Sequence, residues 1–228
     1  YLIELPSADI YFITTPDDSI EAVAKTLFTQ NKLLSTTIVA HCSGSLNSEV
    51  LPDSCLRASI HPLKSFADPL ESIQTFAGTY CAFEGDDPAY QKLAPLFTKI
   101  DGIIFKIKKE QKILYHAASV IANNFLVGLH YHAYQCYKAS GMDAEIAIQA
   151  TSKLMLDALN NLRTLNHKQA LTGPLQRGDV ATVKKHMMAL EIFPKTQTLY
   201  QVLTQSISSL GNHSEEVLSE INKILNDV

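Results

Sequence analysis

The chain has 228 residues, of which 46 % are hydrophobic and 18 % charged, so it can bury the core of one large domain or two modest ones. A formal charge of −4 gives no electrostatic reason to expect nucleic acid or an anionic membrane as a partner. No apolar run is long enough for a membrane span and no signal-peptide pattern opens the chain, so we expect a cytoplasmic protein. Its cysteines form no Cys-x-x-Cys pair, which argues against a zinc site or a disulfide frame: Cys42, Cys55, Cys81 and Cys136.

Five short runs predict strands, the first of them rich in β-branched and aromatic residues: 8–14, 36–41, 56–60, 79–83 and 102–106. Apolar residues at helical spacing follow the first run, and a second helical pattern ends at Phe97. Strands separated by helices or short crossovers predict an α/β Rossmann-type, largely parallel sheet covered on both faces. The richest basic stretch is predicted to be a solvated face: Lys106, Lys108, Lys109 and Lys112.

From about residue 110 the apolar spacing is helical throughout. Residues 113–137 predict one helix that is apolar over much of its circumference, which is typical of a helix central to a domain or buried in an oligomer interface. Further helices are predicted to run from the cap at Asp143 to about residue 162, and over 180–190, 194–210 and 214–225. We therefore predict two domains, 1–107 and 108–228, and a homodimer built on the helical C-terminal domain.

Polar side chains follow three of the predicted strands. They are found in Thr14-Thr-Pro-Asp17, His41-Cys-Ser-Gly-Ser45 and His61-Pro-Leu-Lys-Ser65. Ligands of open parallel sheets bind beyond the carboxyl ends of the strands. Each loop alone is explained by ordinary loop polarity, but three in succession favour a site for a nucleotide or a small substrate.

A polar stripe interrupts the apolar helix pattern. His116, Ser119 and Asn123 are spaced so that they share one helical face. If that face lies against the carboxyl edge of the sheet, His116 is a candidate proton donor near neutral pH. A buried histidine with a structural role is the alternative, and the sequence leaves both interpretations open.

The segment 171–179, Leu-Thr-Gly-Pro-Leu-Gln-Arg-Gly-Asp, is unusually rich in residues that constrain the backbone. Gly173 and Gly178 permit conformations that other residues resist. Arg177 beside them is suited to a bidentate pair with a carboxylate or phosphate. The alternative is purely structural, with Asp179 capping the next helix and Arg177 closing an internal salt bridge.

Together these motifs carry a resemblance to a known family. Residues 8–20, His41-Cys-Ser-Gly44, residues 59–66 and the Thr-Gly-Pro-x-x-Arg-Gly-Asp motif resemble Rossmann-like NADP oxidoreductases with a helical C-terminal domain of unknown function. That family is similar in architecture to pyrroline carboxylate reductase and to the phosphogluconate and hydroxyisobutyrate dehydrogenases.

The resemblance implies roles for particular residues. The cofactor, NADP or NAD, would lie along Thr14, Thr15, Pro16, Asp17, Ser43 and Gly44. His61, Thr172 and Arg177 would face a substrate cleft, and His116 and Asn123 would be catalytic. Hydroxyacid dehydrogenases place a lysine three residues before the asparagine, where this chain has Val120.

The family normally begins with a strand and a Gly-x-Gly-x-x-Gly turn, whereas none of the nine glycines here forms that motif. We therefore expect an N-terminally incomplete Rossmann sheet: a truncated product, a start site assigned too late, or a degraded family member. The resemblance favours an NAD(P)-dependent oxidoreductase acting on a small, anionic metabolite between the domains. The alternative is a non-catalytic dimerisation module that binds a nucleotide or metabolite and has lost dinucleotide chemistry.

Overall fold

The computed structural model describes residues 5–30, 33–211 and 213–226. Within them a five-stranded sheet precedes a series of helices, which confirms the predicted α/β architecture followed by an all-α part. The strands lie in chain order in the sheet: β1 (Ile10–Ile13), β2 (Ile38–His41), β3 (Leu56–Pro62), β4 (Tyr80–Gly85) and β5 (Ile103–Lys106). The first three are parallel, β4 runs antiparallel to β3, and β5 is parallel to β4.

Helices cover both faces of this sheet because the strand residues alternate between two apolar clusters. The helices are α1 (Asp17–Gln30), α2 (Pro69–Gln74) and α3 (Asp87–Thr98). Ile38 and Ala40 of β2 pack in the cluster that includes Leu93 of α3. Val39 between them packs on the other face, in the cluster that includes Leu27 of α1. The sequence of a strand buried on both faces is a continuous apolar run and does not alternate between apolar and polar residues.

The chain divides into two compact units, with the division after Leu126. The second unit contains the helices α5 (Asn124–Ala139, which begins just before the division), α6 (Ala144–Leu162), α7 (His167–Ala170), α8 (Gly173–Arg177), α9 (Val180–Ala189), α10 (Pro194–Ile207) and α11 (Glu215–Asn226). Its core joins α9 and α11 through four fully buried side chains: Val183, Met187, Ile221 and Leu225. The domain boundary at residue 107/108 stays a prediction.

The prediction of one helix over residues 113–137 is wrong. A helix α4 (Lys112–Ala122) ends at Asn123, where φ and ψ are −109° and −63°, and α5 begins at the next residue. Two adjacent asparagines are poor helix formers, because their side chains compete for backbone hydrogen bonds. The expectation that this segment is central to a domain is also not met within the described residues, because α5 has no buried residue and the only buried residue of α4 is Lys112.

The segment 171–179 contains a short helix, which ends in a glycine C-cap, and the N-cap residue of the helix that follows. The helix α8 ends at Gly178, whose φ of 68° lies in the left-handed region that glycine tolerates. Asp179 caps α9, since its Oδ1 accepts from the Thr182 N–H at 3.0 Å, which confirms the capping interpretation. The salt bridge proposed for Arg177 is absent from the described residues, and its side chain is exposed. None of the described helices is long and apolar enough to cross a membrane.

Candidate functional site

The carboxyl ends of β1, β2 and β3 meet at one edge of the sheet because these strands are parallel. A pocket of about 450 Å³ opens there, within the usual size range of small-ligand sites. We call it the first pocket. Its lining comes from all three strand ends: Thr14, Thr15, Asp17, Cys42, Ser43, His61, Pro62, Lys64 and Phe66.

The principal hydrogen-bond acceptor in the first pocket is the carboxylate of Asp17. Asp17 begins α1, and its Oδ2 accepts hydrogen bonds from Ser43 Oγ at 2.6 Å and from Ser45 Oγ at 2.8 Å. Burial acts to raise the pKa of Asp17, but the hydrogen bonds from the two serines together with the nearby His41 and His116 lower it. The neighbouring carbonyl of Pro16 accepts from the Ser19 N–H in the first turn of α1. The first pocket therefore presents a charged acceptor to any ligand.

A second pocket of about 350 Å³ adjoins the first, since His61 and Lys64 line both. Its other side is formed by α4 and the residues that follow it. Its complete lining is His61, Leu63, Lys64, Ser65, His116, Ser119, Val120, Ala122, Asn123 and Asn124. The structure thus brings the predicted stripe of His116, Ser119 and Asn123 to the end of β3. Among the described residues, no carboxylate lines this second pocket.

His61 stands at the wall that the two pockets share. Its Nδ1 is 2.7 Å from the hydroxyl oxygen of Tyr115, and its ring centroid is 6.1 Å from that of His116. Burial, with smaller contributions from the charges of Lys112 and His116, lowers the pKa of His61 to about 4. His61 is therefore a neutral imidazole at physiological pH.

Gly44 allows the loop after β2 to approach both imidazoles. A Cβ atom at this position would lie 2.5 Å from His116 Cδ2 and 3.0 Å from the His61 ring, which is closer than real side chains allow. Only glycine fits without displacing one of the two rings.

Buried polar side chains lie beneath the pockets and connect α4 to the sheet. Lys112 is 1 % exposed, and its ammonium donates to Ser59 Oγ in β3. Burial lowers the pKa of Lys112 to about 8, although the carboxylates of Glu84 and Asp17 act in the opposite direction. Ser59 Oγ in turn donates to the carbonyl of Ser43 at 3.3 Å. Hydrogen bonds through Ser59 therefore link α4, which carries His116, to the loop after β2. That loop contains Ser43, which hydrogen-bonds to Asp17.

The fully buried His41 organises the same loop from within. Its Nε2–H donates to the Asn47 carbonyl at 3.1 Å, and its Nδ1 accepts from the Ser43 N–H at 3.2 Å. These two contacts need the neutral imidazole, and burial lowers the pKa of His41 to about 4.

Thr172 and Arg177 belong to the second compact unit. Thr172 precedes α8 without capping it, and the exposed guanidinium of Arg177 makes no hydrogen bond or ion pair with any described residue. Their assignment to the substrate stays a prediction.

Sequence reasoning missed Lys112 and Tyr115. The prediction that Lys112 belongs to a solvated basic face is wrong, because its side chain is buried on Ser59. A signal was present: Lys112 lies four residues before His116 and therefore continues the polar stripe by one more turn. Tyr115 gave no such signal, since a tyrosine in an apolar helix is unremarkable in a sequence.

Comparisons with known proteins agree with this architecture. The family model for the domain of unknown function DUF2520 matches residues 79–207, which is more than half of the chain. Protein TM1727 from Thermotoga maritima is 31 % identical, with a TM-score of 0.69, and the alignment covers 93 % of this chain and 77 % of that one. The chain therefore belongs to the DUF2520 family. A comparison with curated proteins found no match.

More distant solved structures share the fold. BF3122 from Bacteroides fragilis, provisionally assigned as an NADP oxidoreductase, is 19 % identical with a TM-score of 0.72, and the alignment covers 91 % of this chain and 78 % of that one. Pyrroline carboxylate reductase from Plasmodium falciparum, solved with NADP bound, is 13 % identical with a TM-score of 0.57, and the coverage is 93 % and 77 %. At these identities the likeness concerns the Rossmann-like fold with its helical C-terminal part.

The neutral state of His41 makes stability depend on acid pH. The folded-state pKa of about 4 lies below the ordinary 6.5, so the unfolded chain binds more protons between these values and stability falls as the pH falls through them. We expect this group to account for about 3 kcal/mol of that loss. His41→Gln, measured by urea unfolding at both ends of the range, should lose correspondingly less stability. His167→Gln, at an exposed histidine of α7, is the control and should follow the wild-type curve. Equal losses in wild type and His41→Gln would contradict the assignment.

The buried ammonium of Lys112 costs stability. Its pKa is about 8 in the folded state and 10.5 ordinarily, so the cost is complete below about pH 8 and disappears as the pH rises to 10.5. We expect Lys112→Met to raise the free energy of unfolding near neutral pH by up to about 3 kcal/mol, with the gain fading at alkaline pH. Lys106→Met, which removes an exposed ion pair with Asp87, is the control and should change stability by less than about 1 kcal/mol. A Lys112→Met variant less stable than wild type at neutral pH would show that the ammonium is net stabilising.

Proposed function

We propose that this member of the DUF2520 family is an NAD(P)-dependent oxidoreductase acting on a small anionic metabolite. The observation that carries the proposal is the pair of adjoining pockets at the carboxyl edge of the parallel strands, which share His61 and Lys64. Cofactor sites of open α/β sheets lie at this edge. Two relatives in fold, one named as an NADP oxidoreductase and one solved with NADP bound, support the same assignment.

The first pocket fits the nicotinamide–ribose part of the cofactor. The Asp17 carboxylate is suited to accept hydrogen bonds from ribose hydroxyls, and the side chains of Thr14 and Thr15 line the same wall. Ser43 holds Asp17 in place, and Gly44 lets the loop stay close to the imidazoles. When bound, the cofactor supplies hydride chemistry, while the protein orients the reacting groups.

The second pocket fits an anionic substrate. Lys64 supplies a positive charge, and the amide groups of Asn123 and Asn124 supply hydrogen-bond donors, with no carboxylate among the described residues that line the pocket. We propose that His116, which lines this pocket, is the general acid that protonates the substrate after reduction, and that Asn123 holds the substrate.

A titration of NADPH and of NADH against the complete gene product, followed by nucleotide fluorescence, tests the cofactor assignment. We expect binding, and we expect Asp17→Asn to weaken it by about 10-fold to 100-fold, because a charged hydrogen bond contributes about 1.5–3 kcal/mol. Asp87→Asn is the matched control, since Asp87 is exposed and pairs with Lys106 outside the first pocket. Affinities that are equal in wild type and Asp17→Asn would remove Asp17 from the cofactor site.

The same titration separates the enzyme from its alternative. Oxidation of bound NADPH by one member of a panel of small oxo and imino acids supports the oxidoreductase. Saturable binding of nucleotide without turnover over the whole panel supports a non-catalytic binding module. If neither NADPH nor NADH binds, both the oxidoreductase and the nucleotide-binding module are contradicted.

We also propose that the chain forms a homodimer through its C-terminal helices. The helix α5 has no buried residue, and of the 19 residues of α6 only Ala147 and Thr151 are buried. Large apolar side chains of α6 remain exposed: Ile146, Ile148, Leu154, Leu156, Leu159 and Leu162. Monomeric proteins rarely expose so many large apolar residues on one helix, whereas obligate dimer interfaces are rich in them.

Light scattering at micromolar protein concentration tests the dimer. We expect twice the mass of the chain for the wild type and a monomer for Leu156→Glu with Leu159→Glu, because two carboxylates cannot be buried unpaired at an apolar interface. Leu70→Glu is the control: Leu70 of α2 is 74 % exposed in the first unit, and its replacement should leave the mass unchanged. A monomeric wild type would contradict the proposal.

A further inference from the structure

We propose that Tyr115 fixes His61 in a single tautomer, with the proton on Nε2, so that His61 presents an N–H donor to the substrate atom that becomes reduced. Tyr115 is then a positioning residue and His61 a catalytic residue. The tautomer follows from contacts within the first unit alone, whereas its role toward the substrate rests on the proposed function.

The first step concerns the direction of the hydrogen bond between Tyr115 and His61. The phenol oxygen and Nδ1 are 2.7 Å apart, and either atom can donate in principle. Burial raises the pKa of Tyr115 to about 12, so the phenol keeps its proton at physiological pH. A half-buried O–H needs an acceptor, and Nδ1 of His61 lies at hydrogen-bond distance from it, whereas the neighbouring Ser119 Oγ–H donates to the backbone carbonyl of Tyr115. The phenol therefore donates, and Nδ1 carries a lone pair.

The second step concerns the charge of the ring. Burial and the nearby charges of Lys112 and His116 disfavour the imidazolium, and only the more weakly acting Asp17 favours it. A neutral ring with a lone pair on Nδ1 carries its single proton on Nε2. The same contact that orients the ring thus decides which nitrogen is the donor.

The third step concerns where Nε2 points. It makes no hydrogen bond with any described residue, yet no described side-chain nitrogen or oxygen is both buried and without a partner. Nε2 is therefore accessible. It lies beside Gly44, on the wall that the first and second pockets share. A neutral N–H donor consequently faces the place where a cofactor in one pocket would meet a substrate in the other.

A donor at this point selects the substrate. The ligand atom opposite Nε2 must accept a hydrogen bond, which suits a carbonyl oxygen or an imine nitrogen of a small carboxylate. A bound cofactor would supply hydride to the carbon, so that the π electrons of the double bond would move to the oxygen or nitrogen. The hydrogen bond that the Nε2–H group donates stabilises the negative charge that develops there. His116, the proposed general acid, supplies the proton that completes the reduction.

Long-range ¹H–¹⁵N correlation spectra of the protein labelled at its histidines test the tautomer without any ligand. We expect one neutral species for His61 near neutral pH, protonated at Nε2. In Tyr115→Phe the ring loses its donor at Nδ1, and we expect signals of both tautomers together with unchanged melting. If that variant fails to fold, the wild-type spectrum alone tests the tautomer. A wild-type proton on Nδ1, or a spectrum unaffected by Tyr115→Phe, would overturn the inference.

The second unit offers a matched control. Tyr200 makes the same kind of contact, with its hydroxyl 2.9 Å from Nδ1 of His186. Tyr200→Phe should alter the His186 signals and leave those of His61 unchanged. A change at His61 in both variants would reveal a general loss of structure and would remove the support that Tyr115→Phe provides.

Oxamate, a small carboxylate with an adjacent carbonyl, tests the role toward the substrate. Added to the NADPH-loaded wild type, it should shift the His61 Nε2 resonance and bind at least 10-fold more weakly to His61→Leu. His61→Gln, whose amide keeps an N–H near the Nε2 position, should bind within about 3-fold of wild type. Binding equal in all three proteins overturns this role. The tautomer test requires no NADPH, so a failure to bind cofactor would count against the proposed function alone.

Discussion

The arrangement of the site depends on one buried contact, the hydrogen bond from the Lys112 ammonium to Ser59 Oγ. Lys112 begins α4 and Ser59 lies in the middle of β3, so this contact sets the position of the helix along the strand. A helix advances by a fixed rise and rotation per residue. Tyr115 and His116, one turn further on, are therefore delivered to His61 and Gly44 at the end of the same strand.

The electrostatic consequence of that contact reaches two histidines, His41, which is fully buried, and His61, which lines both pockets. The charge of Lys112 adds to burial in lowering the pKa of His41 and of His61. Neutral imidazoles can accept at one nitrogen and donate at the other, and His41 does both, toward Ser43 and Asn47. A cation that destabilises the fold thus favours the neutral state of two rings, one of which holds the loop after β2 while the other pairs with Tyr115 of α4. Buried charged groups retained at such a cost are typical of functional sites.

Periodicity and turn chemistry predicted the sheet, the polar strand ends and the caps at Asp143 and Asp179, because each of these features is encoded within a few neighbouring residues. The polar stripe of α4 was predicted for the same reason. The burial of Lys112 and the pairing of His61 with Tyr115 were not, since their partners lie 53 and 54 residues apart in the chain. The break at Asn123 was missed because apolar spacing continues across it, although two adjacent asparagines marked the position.

The linings of the two pockets differ in charge, and this difference determines which kind of ligand each pocket favours. The Asp17 carboxylate makes the first pocket a poor place for an anion and a good one for hydroxyl groups. Lys64 lines both pockets, but none of the described residues that line the second is a carboxylate, so an anion is favoured there. His61 between them is neutral and repels neither ligand. Under the proposed function this difference favours a ribose in the first pocket and an anionic substrate in the second, with the His61 donor at their junction.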